Sequence, residues 1–289
     1  MSSTDRFHRH PLTLFGVYFL ASGLIAAMVA YPLWMLLPGF EFDKVLSRAA
    51  ILAAAALLVP LLRHLALSRE EMCLGRFNAK SFLAYWILGW ALIMPPSVAF
   101  VLIDFRVFDV RVLDNLAEVF RVAALAVVSG VLVGLFEEVL FRGALLSLWE
   151  RVAPGLAVIG SSAVYAAVHF VEAAEPVVEP GWLSGFSQLA SAFSPLLRPL
   201  EYWDSFAGLF LLGVGLCWVR QRTGSLWPCI AMHGAFVMFL KVYKDLTIRD
   251  IDVPLAWVVG GYDNFVGELT SVWLLVVLAG WWLVARARR

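Results

Sequence analysis

Apolar residues fall in long runs along this chain, with polar residues gathered between them. A run of roughly 17–25 apolar residues can cross the hydrocarbon core of a bilayer as a helix. Eight segments read that way: residues 12–37, 45–67, 82–103, 116–148, 155–171, 206–219, 226–241 and 269–285. The sixth and seventh are short for a crossing. The pattern predicts an all-α fold, a polytopic membrane helix bundle of about eight transmembrane helices. No soluble domain fits between the runs, so one transmembrane domain is expected over residues 1–289. The first run is too long for a signal-peptide core and lacks a small-residue cleavage site, so it reads as a retained span.

Composition agrees with this class. Hydrophobic residues make up 62% of the chain and charged residues 15%, and the mean hydropathy is +0.83. Such values mark an integral membrane protein. The formal net charge of zero conceals an asymmetry. With the N-terminus inside and eight alternating spans, the inner segments hold Arg6, Arg9, Arg63, Arg69, Arg76, Lys80, Arg151, Arg220, Arg222, Arg286, Arg288 and Arg289, against the acids Asp5, Glu70, Glu71 and Glu150. Excess Lys and Arg in short inner loops sets orientation, which predicts N-in and C-in. Asp5 to His10 reads as a juxtamembrane anchor. Cys73, Cys217 and Cys229 lack CxxC spacing and read as small hydrophobes rather than a disulfide or metal set. No basic patch suits nucleic acid.

Against this apolar background, Glu137, Glu138 and Arg142 stand inside the fourth run. A charge at bilayer depth costs roughly 2.5–3.5 kcal/mol on insertion scales, so three together call for a reason. Glu138 and Arg142 are four residues apart on one helical face and can pair. Glu137 points about 100° away from Glu138. One carboxylate is thus neutralised structurally and the other is left for chemistry. One turn earlier, Gly130 and Gly134 form a GxxxG spacing, which lets a second helix approach closely but also arises by chance in apolar runs.

The turn at 151–155 makes a helical hairpin of the fourth and fifth runs. From Ala153, Glu137 lies sixteen residues back and His169 sixteen forward, so both stand about 24 Å from the turn at about 1.5 Å per residue. Tyr165 is one turn from His169 on the same face. His233 sits in the seventh run. Pro95-Pro96 is expected to kink or end the third helix. In the long acidic loop 172–205, Trp182, Phe186, Leu189 and Phe193 follow the stripe of an amphipathic interfacial helix, either a cover for the bundle or a lid at a substrate-access path.

These three sets resemble the CPBP family of intramembrane proteases, which includes the CAAX prenyl endopeptidases and bacteriocin-immunity-type homologues. The family pattern is EExxxR, FxxxH and HxxxN (or a small polar residue in place of the Asn) on three spans of an eight-helix bundle. Here EExxxR is complete from Glu137 to Arg142, FxxxH has Tyr165 for Phe before His169, and HxxxN keeps His233 but has Val237 for Asn. The Trp227-Pro228 lead-in also agrees. The resemblance covers about residues 116–240. It implies a glutamic peptidase without metal or other cofactor, in which Glu137 and His169 activate a water and His233 stabilises the oxyanion. Glu138, Arg142 and Tyr165 then support that site, with Glu138 and Arg142 setting the rotamer of Glu137. It further implies a membrane-anchored peptide or protein substrate and a bacterial inner (plasma) membrane setting. Two other readings stay open. Glu137, His169 and His233 are residue types that ligate zinc, although no HExxH occurs. Val237 leaves room for a non-enzymatic binding or immunity protein that uses the same cavity.

Overall fold

The computed structural model describes residues 11–171 and 176–287. The anchor Asp5–His10, the loop acids Glu172 and Glu175, and the tail residues Arg288 and Arg289 lie outside the described residues.

Each of the eight apolar runs forms a helix. In chain order these are α1 (Pro11–Leu36), α2 (Phe42–Leu65), α3 (Ala79–Leu102), α4 (Leu116–Val152), α5 (Ala157–Val168), then α7 (Trp203–Thr223), α8 (Trp227–Leu246) and α9 (Glu268–Ala287), with a short α6 (Ser184–Ser191) before α7. Local chemistry sets their ends. Asn78 caps α3 by accepting from the Ser81 N–H at 3.0 Å, and Asn115 caps α4 through the Glu118 N–H at 3.2 Å, each supplying an acceptor to an otherwise orphaned donor. Gly224 closes α7 at φ +61°, a left-handed conformation that favours glycine.

Six of these helices, α1 to α4, α7 and α9, are long and apolar enough to cross a membrane. The protein is an all-α membrane helix bundle. The fifth run is the one that shortens, ending as a helix at Val168, while the sixth and seventh extend beyond their apolar cores to 21 and 20 residues. A two-stranded ribbon that the apolar pattern did not signal pairs β1 (Arg106–Phe108) antiparallel with β2 (Thr247–Arg249), with Val107 opposite Ile248.

The connections sort to two ends. At one end, Arg151 reaches Glu71 (Nε–Oε1 2.9 Å), Arg220 reaches Glu150 and Ser147, and the Trp227 indole donates to the Gly75 carbonyl at 3.0 Å. The Ser68 N–H and the Arg151 guanidinium hold the Glu71 carboxyl below the usual carboxylate range. At the other end lie the β ribbon and a bond from the Val177 N–H to Asp43. The links after α2, α4 and α7 therefore share one end, and those after α1, α3, α5 and α8 the other.

Of the two outcomes expected at Pro95-Pro96, a kink or an end to the third helix, the end does not occur, since the helix continues to Leu102. The Leu92 carbonyl that Pro96 would leave unbonded accepts from the Trp273 indole at 2.7 Å, so a neighbouring helix supplies the missing donor. At α6 the expected stripe is divided between contact and exposure. Trp182 packs on Tyr31 of α1 with centroids 5.0 Å apart and Leu189 lies against Gly23 of α1, while Phe186 and Phe193 face outward, as the apolar stripe of an interfacial helix does. The closest approach is made by the small side of the helix, where a Cβ at the buried Gly185 would lie 2.4 Å from the Ala27 carbonyl of α1.

Packing centres on the pair α4 and α8, with α8 also on α3, α1 on α2, and α5 on α7.

Candidate functional site

Glycines bring the two central helices together. A Cβ at Gly130 would meet the Gly234 carbonyl at 2.3 Å, and one at Gly134 the Ile230 carbonyl at 2.8 Å and the Gly234 nitrogen at 2.9 Å. The GxxxG spacing is therefore a packing seam between α4 and α8. It also sets the register of the polar residues. Side chains on a helix lean toward its N-terminus, so Glu138, one turn past Gly134, reaches back to the level of His233 beside Gly234.

There Glu138 is fully buried and holds two partners on one oxygen. Its Oε1 accepts from Arg142 Nη1 at 2.8 Å and from His233 Nδ1 at 2.7 Å, and the side chains of Glu138 and Arg142 are 0% and 1% exposed. The Arg142 guanidinium also lies 4.1 Å from the Tyr165 ring centroid, a cation–π contact that is strengthened by desolvation. Arg142 stands in a π-helical stretch, Val139–Leu145, which begins directly after Glu138 and is buried from Leu140 onward. Such local widening of a helix is frequent at functional sites.

Glu137 faces the other way, into a cleft of about 210 Å³ lined by Phe19, Phe136, Leu140, Phe141, Val168 and His169 together with Glu137 itself. Its side chain is 21% exposed and that of His169 23%. The hairpin places the two at the same depth, with His169 Nε2 3.9 Å from Glu137 Oε2. His233 Nε2 approaches the same oxygen to 3.7 Å. Both separations exceed hydrogen-bond reach, and Glu137 Oε2 is buried without a bonded partner among the described residues. Tyr165, fully buried, packs edge-on against His169 with centroids 4.6 Å apart.

The histidine tautomers follow from their partners. His169 Nδ1 lies 2.8 Å from the Tyr165 carbonyl, which only accepts, so Nδ1 carries the proton. His233 Nδ1 faces the Glu138 carboxylate and donates likewise. Both Nε2 atoms therefore point at Glu137 Oε2, and in the neutral tautomers all three would be acceptors. A group that donates protons between them relieves that opposition.

The arrangement brings together all six residues singled out in the sequence. Three features escaped that reading: the bond from His233 to Glu138, the π-helical stretch, and a hydrogen bond from the Tyr262 hydroxyl to the His169 carbonyl. Glu138 and Arg142 are tied to His233 and Tyr165 rather than to Glu137, so no direct contact supports the expectation that they set its rotamer. Val237 is half-buried one turn beyond His233. Among the described residues no group of three or more His, Cys, Asp or Glu is arranged as a metal site. All three cysteines are free thiols, with Cys217 and Cys229 buried.

Residues 119–239 match the family model described as Rce1-like, type II CAAX prenyl endopeptidase. Neither a curated protein nor a solved structure gives a match.

Proposed function

We propose, from the premise that this chain belongs to the CPBP/CAAX family of intramembrane endopeptidases, that it hydrolyses its substrate by glutamic catalysis at Glu137. One observation carries the reading: Glu137 Oε2 and the Nε2 atoms of two histidines converge at 3.7 and 3.9 Å beside an apolar cleft. A water held there donates one hydrogen to Glu137 and the other to a neutral Nε2, relieving the clash of acceptors.

Glu137 takes the proton from this water as its oxygen attacks the peptide carbonyl carbon, the work of a positioned general base. His169 orients the water. The negative charge moves to the carbonyl oxygen, toward which His233, protonated on both nitrogens, turns its Nε2–H while Nδ1–H stays bonded to Glu138. A single such donor is worth about 2.7–4 kcal/mol in other enzymes. The proton held by Glu137 then passes to the leaving nitrogen as the C–N bond breaks. Charge also balances: two carboxylates and one guanidinium leave −1, which one imidazolium cancels.

The substrate is a membrane-anchored peptide or protein whose reacting segment enters an apolar cleft. Eight crossings with both termini inside, in a bacterial inner membrane, fit the inner-loop Arg and Lys residues and the two-ended sorting of the connections. The test is cleavage of membrane-tethered peptides by the protein in lipid. Wild type is expected to cleave, Glu137→Gln to remain folded and fail, and a chelator to change nothing. Chelator inhibition reversed by added metal would overturn the glutamic assignment. Val237, in place of the family Asn, favours the second reading of a binding or immunity protein. An unchanged phenotype in a Glu137→Ala strain would support it.

A further inference from the structure

We propose that Tyr262, in the loop between α8 and α9 and outside the family-matched segment, is a positioning residue for the reaction. By donating its hydroxyl to the His169 carbonyl, it fixes that histidine relative to His233. The inference rests on the assignment of His169 to catalysis.

His169 needs an external hold. It caps the C-terminus of α5 just after the last helical residue, Val168, where carbonyls have no partner within the helix. Its ring is tied through Nδ1 to the Tyr165 carbonyl of the same helix. That bond fixes the ring relative to α5, and Tyr165 in turn meets the His233 ring edge-on with centroids 6.1 Å apart and carries the Arg142 guanidinium at 4.1 Å. These contacts are made by the Tyr165 side chain one turn earlier, while α5 as a whole packs mainly on α7 and the helix of His233 on α4 and α3, so the backbone at the end of α5 is left to be held from elsewhere.

Tyr262 supplies a second hold, on the backbone of His169 itself. Its hydroxyl donates to the His169 carbonyl, and its ring packs on Phe170 with centroids 4.7 Å apart. The turn that carries it is itself anchored to the His233 helix. Asp263 Oδ1 accepts from the N–H groups of Phe265 and Val266 at 3.0 and 2.7 Å, and Oδ2 pairs with Lys244 Nζ of α8 at 3.0 Å. Phe265 is buried against Phe100 of α3 and Tyr243 of α8, with centroids 5.2 and 6.0 Å apart. The path from His233 therefore runs along α8 to Lys244, through Asp263 to Tyr262, and onto the backbone of His169. Misplacement of a reacting group by about 1 Å can cost on the order of 100-fold in rate, so a donor at this carbonyl is placed to matter.

Tyr262→Phe keeps the ring and removes only the donor. In lipid, its kcat, KM and Tm are compared with wild type on a peptide that wild type cleaves and Glu137→Gln does not. The rate at which diethyl pyrocarbonate modifies His169 is followed in the same proteins by mass spectrometry. We expect kcat to fall about ten-fold with KM and Tm unchanged, and His169 to be modified several-fold faster. An unchanged kcat, or a loss that only follows a lower folded fraction, would overturn the proposal. If wild type cleaves nothing, the catalytic reading fails first. The modification rates still decide the tether: equal rates refute it, and a faster rate in the variant establishes it.

Discussion

Glu137 and Glu138 are adjacent in the chain but sit in opposite surroundings. Glu138 lies in the dry seam between α4 and α8, where one oxygen binds both Arg142 and His233 and no solvent reaches it. Glu137 lies one residue back, beside a cleft shared by α1, α4 and α5, with its Oε2 unbonded and two imidazoles just beyond hydrogen-bond distance. A paired and buried carboxylate contributes to stability chiefly because losing a partner is so costly. A carboxylate kept short of its neighbours retains a lone pair for an incoming proton. On the proposed reading, one helical step of about 100° separates a structural group from a reactive one.

The comparison is broken most directly at Glu137. Glu137→Gln is expected to lower cleavage by about 10²–10⁴-fold, the usual range for a general base, with an unchanged thermal midpoint. Arg142→Ala should do the reverse in emphasis. It leaves Glu138 buried with only His233 beside it, and should cost about 3–5 kcal/mol of stability, read from unfolding of the protein in detergent or lipid. Equal midpoints for the two variants would refute the division of roles.

The seam can be tested without touching a charge. In Gly134→Ala the added methyl would fall 2.8 Å from the Ile230 carbonyl and 2.9 Å from the Gly234 nitrogen. These are backbone atoms and cannot swing aside, so the helices must separate. Overpacking of this kind costs about 1–3 kcal/mol. Separation also lengthens the bond from Glu138 to His233, so activity should fall further than the folded fraction alone explains. A variant with normal activity and stability would show that the close approach is dispensable.

How far the sequence foretold these regions depended on whether the contacts were local. A helix in each of the eight apolar runs was legible, because a long apolar run in a membrane protein has few alternatives to a helix. The Glu138–Arg142 pair followed from four-residue spacing, and the level of Glu137 with His169 from counting along a hairpin. His233 bonding Glu138 was not legible, because it depends on the register between helices 95 residues apart in the chain. Gly130, Gly134 and Gly234 held that information only if the partner helix was known. The stripe of α6 was legible as that of an amphipathic helix, but the small face at Gly185 that comes closest to α1 was not, because hydrophobic periodicity finds the greasy side of a helix and small residues can make the contact. The donor that satisfies Leu92 behind Pro96 comes from Trp273, on another helix altogether.

The smallest expected effect concerns Val237. It follows His233 by four residues on α8, so the two share a helical face, and it is only half-buried. A family-like amide there would stand on the His233 side of the site and offer a second donor to the oxyanion. His233 already has its Nδ1 committed to Glu138, so Nε2–H is the one donor it can offer. Val237→Asn should therefore raise kcat several-fold and leave KM nearly unchanged, because the new bond forms only as charge develops on the oxygen. Steady-state kinetics in lipid would measure the split. A lower KM at constant kcat would mean that the amide binds the ground-state substrate instead, and no change in either would place residue 237 outside the oxyanion's reach, leaving His233 as the donor on α8.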